Sequence, residues 1–215
     1  MRNVRTRVKV CGITTPVDAA AAVRAGADAL GVILSDSLRQ VTLEEAEEIC
    51  AAVPPFVARV GVFVDAPEHF VAEAVARLNL TAVQFHGAES PERCAAAPAP
   101  VIKAVRVGPG FDPAEAEAYR GCVSALLYDT LVEGMDGGTG RTFPWESALP
   151  LPEWAPVVVA GGLHPGNVGG AIAALSPFAV DVSSGVEERP RYKDRIRLHA
   201  FVAAVRAADE EVVTA

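Results

Sequence analysis

The sequence predicts an α/β protein of the (β/α)8 barrel type, a closed eight-stranded parallel sheet, on three observations. Eight short runs rich in β-branched residues recur along the chain. They alternate with Ala-rich segments of helical spacing, which implies crossover connections and parallel pairing. Eight such units in 215 residues fit a closed barrel better than an open doubly wound sheet, and one barrel domain commonly has that length. A single domain over residues 1–215 is expected.

The first unit pairs the strand RVKVC (7–11) with the helix PVDAAAAVRAGA (16–27), where proline opens the first turn and Asp18 follows within it. ALGVIL (29–34) leads to TLEEAEEICAAV (42–53), and ARVGVFV (58–64) leads to PEHFVAEAVARL (67–78). TAVQFH (81–86) and VIKAVRV (101–107) are strands four and five, the latter followed by DPAEAEAYR (112–120). Pro, Thr or Asp at the helix starts and acidic residues in the first turns satisfy free amides and complement the helix dipole. VSALLYD (123–129), PVVVA (156–160) and FAVDV (178–182) complete the strands. PGNVGGAIAALS (165–176) lies between the last two, and YKDRIRLHAFVAAVRAADEE (192–211) is the closing helix.

A formal charge of −8 with scattered arginines excludes a nucleic-acid binder, which needs a clustered basic face. Lys9 interrupts the apolar run of the basic N-terminus, and the most apolar window carries Asp18, Arg24 and Asp28. Neither a signal peptide nor a membrane span is expected, and the chain reads as soluble and cytoplasmic. Cys11, Cys50, Cys94 and Cys122 form no C-x-x-C pair, so free thiols are expected and no metal site.

In such a barrel the loops after the strands share one face, and polar residues at the strands' carboxyl ends become candidates for chemistry. Here these are Cys11, Arg39, Asp65, Gln84, His86, Arg106, Asp129, Gly161, Gly162, Asp181, Ser183, Ser184 and Gly185. VVVAGGLHPGNV and VDVSSGVEERP both end a strand in small residues. They follow strands seven and eight, where barrels commonly hold a phosphate. SSGVEE reads as a short helical turn capped by Ser183 or Ser184, with Gly185 leaving its amide open to an anion. The alternative is an ordinary pair of strand-to-helix turns. A Walker A loop fails on GMDGGTGRT, which has Arg141 in place of the lysine and Met135 in place of the first glycine.

Cys11 ends strand one and Asp129 ends strand six, so a barrel aims both at one mouth. A thiol and a carboxyl so placed can work as base and acid once their pKa values move from about 8.5 and about 3.9 toward the working pH. Lys9 or the backbone donors of CGIT favour a thiolate, and desolvation favours a neutral carboxyl. The plainer readings are a buried apolar cysteine and an aspartate that merely starts a turn. His86 reads as a structural histidine or a substrate contact. GGTGRTFPWE (137–146) is a long glycine-rich loop with Phe143 and Trp145, and it reads as a mobile lid.

Taken together, VKVCGIT, ALGVIL with SLR, VGVFV, VQFHG, LLYDT, GGTGRTFPWE, VVVAGGLHPGNV and DVSSGVEERPRYKD make the chain similar to the phosphoribosylanthranilate isomerase family. The resemblance implies Cys11 as general base and Asp129 as general acid of an Amadori rearrangement in tryptophan biosynthesis. It also implies that Arg39 contacts the anthranilate side of the substrate, with Asp181 close by. The backbone of Gly162, Ser184 and Gly185, beside Gly161, would hold the phosphate. No cofactor or metal is implied; the partner is a small phosphosugar, and the chain is expected as a monomer or homodimer.

Three positions depart from the family's pattern. Ser37-Leu38-Arg39 stands where Ser-Pro-Arg is usual, Arg191 where glycine is usual, and Tyr128 beside the acid where a smaller or aliphatic residue is common. The related histidine-pathway isomerase uses an aspartate at the position of Cys11, and indole-glycerol phosphate synthase needs a lysine at the end of strand three. A non-catalytic phosphate-ligand sensor would keep both loops but has no use for a facing acid and base.

Overall fold

The computed structural model describes residues 5–108, 110–130 and 145–214. Eight parallel strands close in sequence order: β1 Arg7–Cys11, β2 Ala29–Ile33, β3 Ala58–Phe63, β4 Ala82–Phe85, β5 Val101–Val107, β6 Ala125–Thr130, β7 Val157–Val159 and β8 Ala179–Val182. The predicted (β/α)8 barrel is therefore the observed fold, each strand lying on its expected run with ends shifted by a residue or two at most.

The helices are α1 Pro16–Ala25, α2 Leu43–Ala51, α3 Glu68–Leu78, α4 Pro91–Ala95, α5 Ala114–Glu117, α6 Val168–Leu175 and α7 Arg195–Thr214. Local chemistry explains where they start. Thr15 accepts the amide of Asp18 at the head of α1, and Pro16 loses nothing there because a first-turn amide has no helical partner. Thr42 and Glu45 form a reciprocal capping box on α2. Asn167 holds the turn before α6: its Oδ1 accepts the amide of His164, and its Nδ2 donates to the carbonyl of Gly162 at 3.0 Å.

One segment differs from expectation. The closing helix starts three residues later than predicted, because Tyr192–Lys193 (β10) pairs antiparallel with Glu187–Arg189 (β9) and Asp194 then accepts the amides of Ile196 and Arg197. The next described element after β6 is a 3-10 turn, Trp145–Ala148, whose indole packs against α6: a Cβ at Gly170 would stand 2.7 Å from the ring of Trp145. Phe143 and most of the expected lid lie outside the described residues.

Register decides which residues face the barrel interior. The partners Lys9↔Ala29, Ala29↔Ala58, Gly31↔Val60, Val60↔Ala82 and Val62↔Gln84 carry one face through β4. Gln84↔Ile102, Ala104↔Leu127, Leu127↔Val158, Val158↔Ala179 and Lys9↔Asp181 carry the same face back to β1. Paired residues of parallel strands project to the same side, and neighbours along a strand alternate. One face therefore bears Val8, Val10, Leu30, Val32, Phe63, Phe85, Val105, Leu126, Tyr128, Val159 and Val180, all in the core shared with the helices. Burying each of these large side chains contributes about 1.5–3 kcal/mol.

The other face is the barrel interior. Its lower part is a small apolar plug of Ala104, Leu127, Val158, Ala160 and Ala179. Toward the carboxyl ends it carries Lys9, Cys11, Gln84, Arg106, Asp129 and Asp181. Tyr128 falls on the helix side, buried and edge-on to Phe111 at 5.5 Å. This departure from the family's pattern therefore does not enter the mouth.

Candidate active site

Lys9, Cys11 and Asp181 form one buried cluster at the β8–β1 seam. Lys9 Nζ donates to Asp181 Oδ2 at 2.8 Å, and its charge acts on the nearby Cys11 thiol. Gly31 makes room for both: a Cβ there would lie 2.9 Å from Cys11 Sγ and 3.3 Å from Lys9 Nζ. Burial pushes the Cys11 thiol up, against the lowering pull of the Lys9 charge. The pull of Lys9 toward the thiolate has the expected direction, but burial is the larger effect. Burial also raises Asp181, with Lys9 opposing. On Lys9 itself the desolvation is outweighed by Asp181 and Cys11, so it stays a cation.

The acid side is built from β4 and β6. His86, one residue past β4, places Nε2 3.2 Å from Asp129 Oδ2. Gln84 Nε2 stands 2.9 Å from His86 Nδ1. With the amide nitrogen donating, Nδ1 accepts and Nε2 carries the ring proton toward Asp129. The loop after β4 is held by Lys103, whose Nζ donates to the carbonyl of Gly87 at 2.6 Å and to Glu89 Oε2 at 3.0 Å. Glu89 in turn accepts the amides of Asp65 and Gly87. Asp65, Lys103 and Glu89 are thus committed to fixing this loop. Asp181 feels the charges of both Asp129 and His86, which joins the two sides of the mouth electrostatically.

Arg39 is held where the resemblance puts a substrate contact, but it is already paired. Its Nε and Nη2 donate to the two carboxylate oxygens of Glu187, each at 2.7 Å. Lys193 Nζ bonds Glu187 Oε1 at 2.8 Å and the carbonyl of Ser183 at 3.1 Å. The Arg39 stem lies on Gly12, where a Cβ would meet Arg39 Cδ at 2.5 Å and Ser183 Oγ at 3.1 Å, and Gly12 has a φ of +70°. Arg191 has a φ of 78°, the left-handed region that explains why glycine is usual there. Its guanidinium ties down the chain that carries Arg39, donating to the carbonyls of Leu38 and Gln40.

The loops after β7 and β8 touch. Gly161 and Gly162 have φ of 83° and 64°, a conformation other residues adopt at a cost. At Gly185 a Cβ would stand 1.9 Å from the carbonyl oxygen of Leu163, so only a bare backbone lets the loops meet. Residues Ser184–Val186 form a 3-10 turn, but the expected serine cap is absent: Ser183 makes no capping bond, and its hydroxyl is buried without a partner among the described residues. Backbone amides, rather than a serine cap, shape this corner.

Glu187 and Lys193 were not singled out from the sequence, whereas Gln84 was among the strand-end candidates without a stated role. Its signal was its place near the carboxyl end of β4, on the interior parity. The four cysteines are free, and no group of three metal-ligating side chains occurs among the described residues.

An interior thiol and carboxyl at one barrel mouth, beside two joined glycine loops after the last strands, define the class of phosphosugar-handling acid–base isomerases. The family model described as N-(5'phosphoribosyl)anthranilate (PRA) isomerase matches residues 8–204. The N-(5'-phosphoribosyl)anthranilate isomerase of Pseudomonas fluorescens strain SBW25 is 47% identical over 201 residues, covering 93% of this chain and 95% of the relative. The crystal structure of phosphoribosyl anthranilate isomerase from Thermotoga maritima superposes with a TM-score of 0.88 at 40% identity, covering 94% of this chain and 99% of the other. A further solved isomerase, in complex with reduced 1-(o-carboxyphenylamino)-1-deoxyribulose 5-phosphate, gives 0.84 at 39% identity, with the same coverage. The chain belongs to the N-(5'-phosphoribosyl)anthranilate isomerase family.

Proposed function

We propose that this chain, acting as one barrel domain, converts N-(5'-phosphoribosyl)anthranilate to 1-(2-carboxyphenylamino)-1-deoxyribulose 5-phosphate in tryptophan biosynthesis, with Cys11 as general base and Asp129 as general acid. The observation that carries the assignment is that both side chains lie on the interior parity at the carboxyl ends of β1 and β6, with the Lys9 charge acting on the thiol and His86 Nε2 3.2 Å from the carboxyl.

Asp129 gives its proton to the furanose ring oxygen, and the ring opens to a protonated Schiff base. The iminium acidifies the C2′ hydrogen, which Cys11 removes; the enolamine then settles to the amino-ketone. Each positioned proton transfer supplies on the order of 10² to 10⁴-fold. Arg39 offers the part of its guanidinium that Glu187 does not use to the anthranilate carboxylate. The joined loops at Gly162, Ser184 and Gly185, beside Gly161, hold the phosphate and so fix where C2′ lies. His86 acts on substrate through Asp129, and Asp181 through Lys9. The chemistry is acid–base throughout and calls for no cofactor.

Among the described residues no helix is long and apolar enough to cross a membrane. The four free thiols suit a reducing cytoplasm. A monomer or a homodimer is proposed, and one solved relative from Thermotoga maritima is described as dimeric and was solved as monomers.

Freshly made phosphoribosylanthranilate, followed by loss of its fluorescence, tests the assignment. The native protein turns it over, and Cys11→Ala and Asp129→Asn each lower kcat far more than they raise KM. Failure of the native protein to act would favour the sensor reading, and near-normal turnover by either folded variant would overturn the roles.

A further inference from the structure

Lys9 has a use that neither binding nor the acid–base pair accounts for. It is 3% exposed, and a lysine buried this deeply costs several kcal/mol unless its charge is answered. Asp181 answers it at 2.8 Å, but a purely structural pair has no reason to touch a third group. The Cys11 sulfur and Lys9 Nζ both border the space left by Gly31, where a Cβ would lie 2.9 Å from the sulfur and 3.3 Å from the nitrogen, so the Lys9 charge also acts on the thiol. A second observation concerns the carboxyl: Asp181 Oδ1 is buried and accepts no hydrogen bond among the described residues. A buried carboxylate with an unanswered oxygen is poorly stabilised as an anion, so this carboxyl is ready to take up a proton.

We propose that Lys9 is a positioning residue that joins Cys11 and Asp181 into one proton-sharing unit, so that the thiol ionises by passing its proton to Asp181 instead of to solvent. The inference rests on Cys11 being the base. Lys9 gives one N–H proton to Asp181 Oδ2 and receives the thiol proton on the same nitrogen. One S–H bond breaks and one O–H bond forms, and Lys9 ends as the ammonium it began, now paired with a thiolate. The buried cluster keeps the same net charge before and after, which removes the cost of creating a new charge in a low dielectric. The thiolate then takes the C2′ proton and returns it to C1′ as the enolamine becomes the amino-ketone; the proton lent to Asp181 passes back through Lys9 to sulfur, and the cycle starts again from the thiol and the carboxylate.

Other charged groups face the unit from neighbouring elements. Lys193 on β10 and Arg39 in the loop after β2 act on Cys11. Asp129 on β6 and His86 after β4 act on Asp181. The two cations favour the thiolate. The charge of Asp129 favours a neutral Asp181, which is the same direction, and that of His86 opposes it.

Alkylation of Cys11 by iodoacetamide, read by peptide mass mapping from pH 5 to 10, tests the unit directly. A shared proton gives a pH-independent shoulder of reactivity below the main rise, because one proton divides between sulfur and oxygen in a fixed ratio while the pair holds only one. In Asp181→Asn the shoulder gives way to a single titration at lower pH, since the thiolate keeps Lys9 without a competing anion. In Lys9→Met, reactivity on the shoulder falls at least about tenfold, which corresponds to one unit of thiol pKa, and Lys9→Arg recovers part of it. The double variant Lys9→Met/Asp181→Asn leaves no buried charge unpaired, so it folds and shows one late titration. The pH profile of kcat/KM follows the alkylation profile in each active variant. A native rise of unit slope without a shoulder, or an unchanged profile in Lys9→Met, would sink the proposal. Either outcome leaves the base assignment to be decided by Cys11→Ala.

Discussion

His86 Nε2 stands 3.2 Å from Asp129 Oδ2, with Gln84 behind it at Nδ1. The chain of three can run in two directions. With the Gln84 amide nitrogen donating, His86 donates to an ionised Asp129. Turning that amide over lets Oε1 accept from Nδ1, and Nε2 then accepts from a protonated Asp129, the form a general acid must reach. Gln84 Oε1 is buried without a partner in the first arrangement, which lowers the cost of the second.

His86 is therefore expected to act on turnover more than on affinity. Changing His86 to Ala lowers kcat by about 10²-fold, the loss typical of a reacting group misplaced by an ångström, with KM changed much less. Gln84→Leu has a smaller effect in the same direction. Steady-state kinetics decide the point, and a KM effect without a kcat effect would make His86 a substrate contact instead.

Glu187 is the keystone of the Arg39 side, since Arg39 and Lys193 both bond its carboxylate. Glu187→Gln leaves two buried cations facing an amide, and loss of one partner from a buried pair costs about 3–5 kcal/mol. The variant melts earlier, and its KM rises because Arg39 is no longer clamped. Burial opposes the charge on Glu187, yet the bonds from Arg39 and the charge of Lys193 hold its pKa below the ordinary value. A depressed carboxyl contributes stability that is present above the ordinary value of about 4.3 and is lost as pH falls through the folded value. Chemical denaturation between pH 3 and 7 checks the sign: stability falls less steeply with acid in Glu187→Gln than in the native chain.

The strands were legible because β-branched runs ending in small or polar residues have few other uses, and the candidates at their ends follow from parity. Partners were not legible. Arg39 and Glu187 are 148 residues apart, and nothing local in SLR or GVEE distinguishes an arginine waiting for substrate from one already bound. Tyr192 and Lys193 read as the head of a helix because the pattern beyond them is helical, while their pairing with Glu187–Arg189 is a tertiary choice. SSG carried the composition of a capped turn, but the cap failed because Ser183 Oγ lies against Gly12 and away from the turn's amides. Lys9 was visible as a neighbour of Cys11 in sequence; that burial would outweigh it depends on how tightly β8 and β2 close over both.

Gly185 tests the phosphate corner. A Cβ there would overlap the Leu163 carbonyl at 1.9 Å, and backbone on both sides leaves little to yield. Inorganic phosphate is expected to compete with substrate in the native chain. In Gly185→Ala the loops part, and the inhibition constant for phosphate rises at least about tenfold, a loss of about 1.4 kcal/mol of binding. Thermal shifts give an independent reading, because a ligand at a hundred times its Kd stabilises the folded chain by about 2.7 kcal/mol. A native melting temperature indifferent to millimolar phosphate counts against the corner.

Arg191 sets two effects against each other. Its φ of 78° costs a residue with a Cβ roughly 1–2 kcal/mol, and glycine would relieve that. Its bonds to the Leu38 and Gln40 carbonyls return about 1 kcal/mol each at most, less where water competes. Arg191→Gly is thus expected to leave stability within about 1 kcal/mol, so denaturant midpoints move little. Function separates the terms: those bonds pin the segment bearing Arg39 and involve neither the acid nor His86, so KM is expected to rise while kcat holds. A fall in kcat with KM unchanged would mean that Arg191 acts by some route other than this segment.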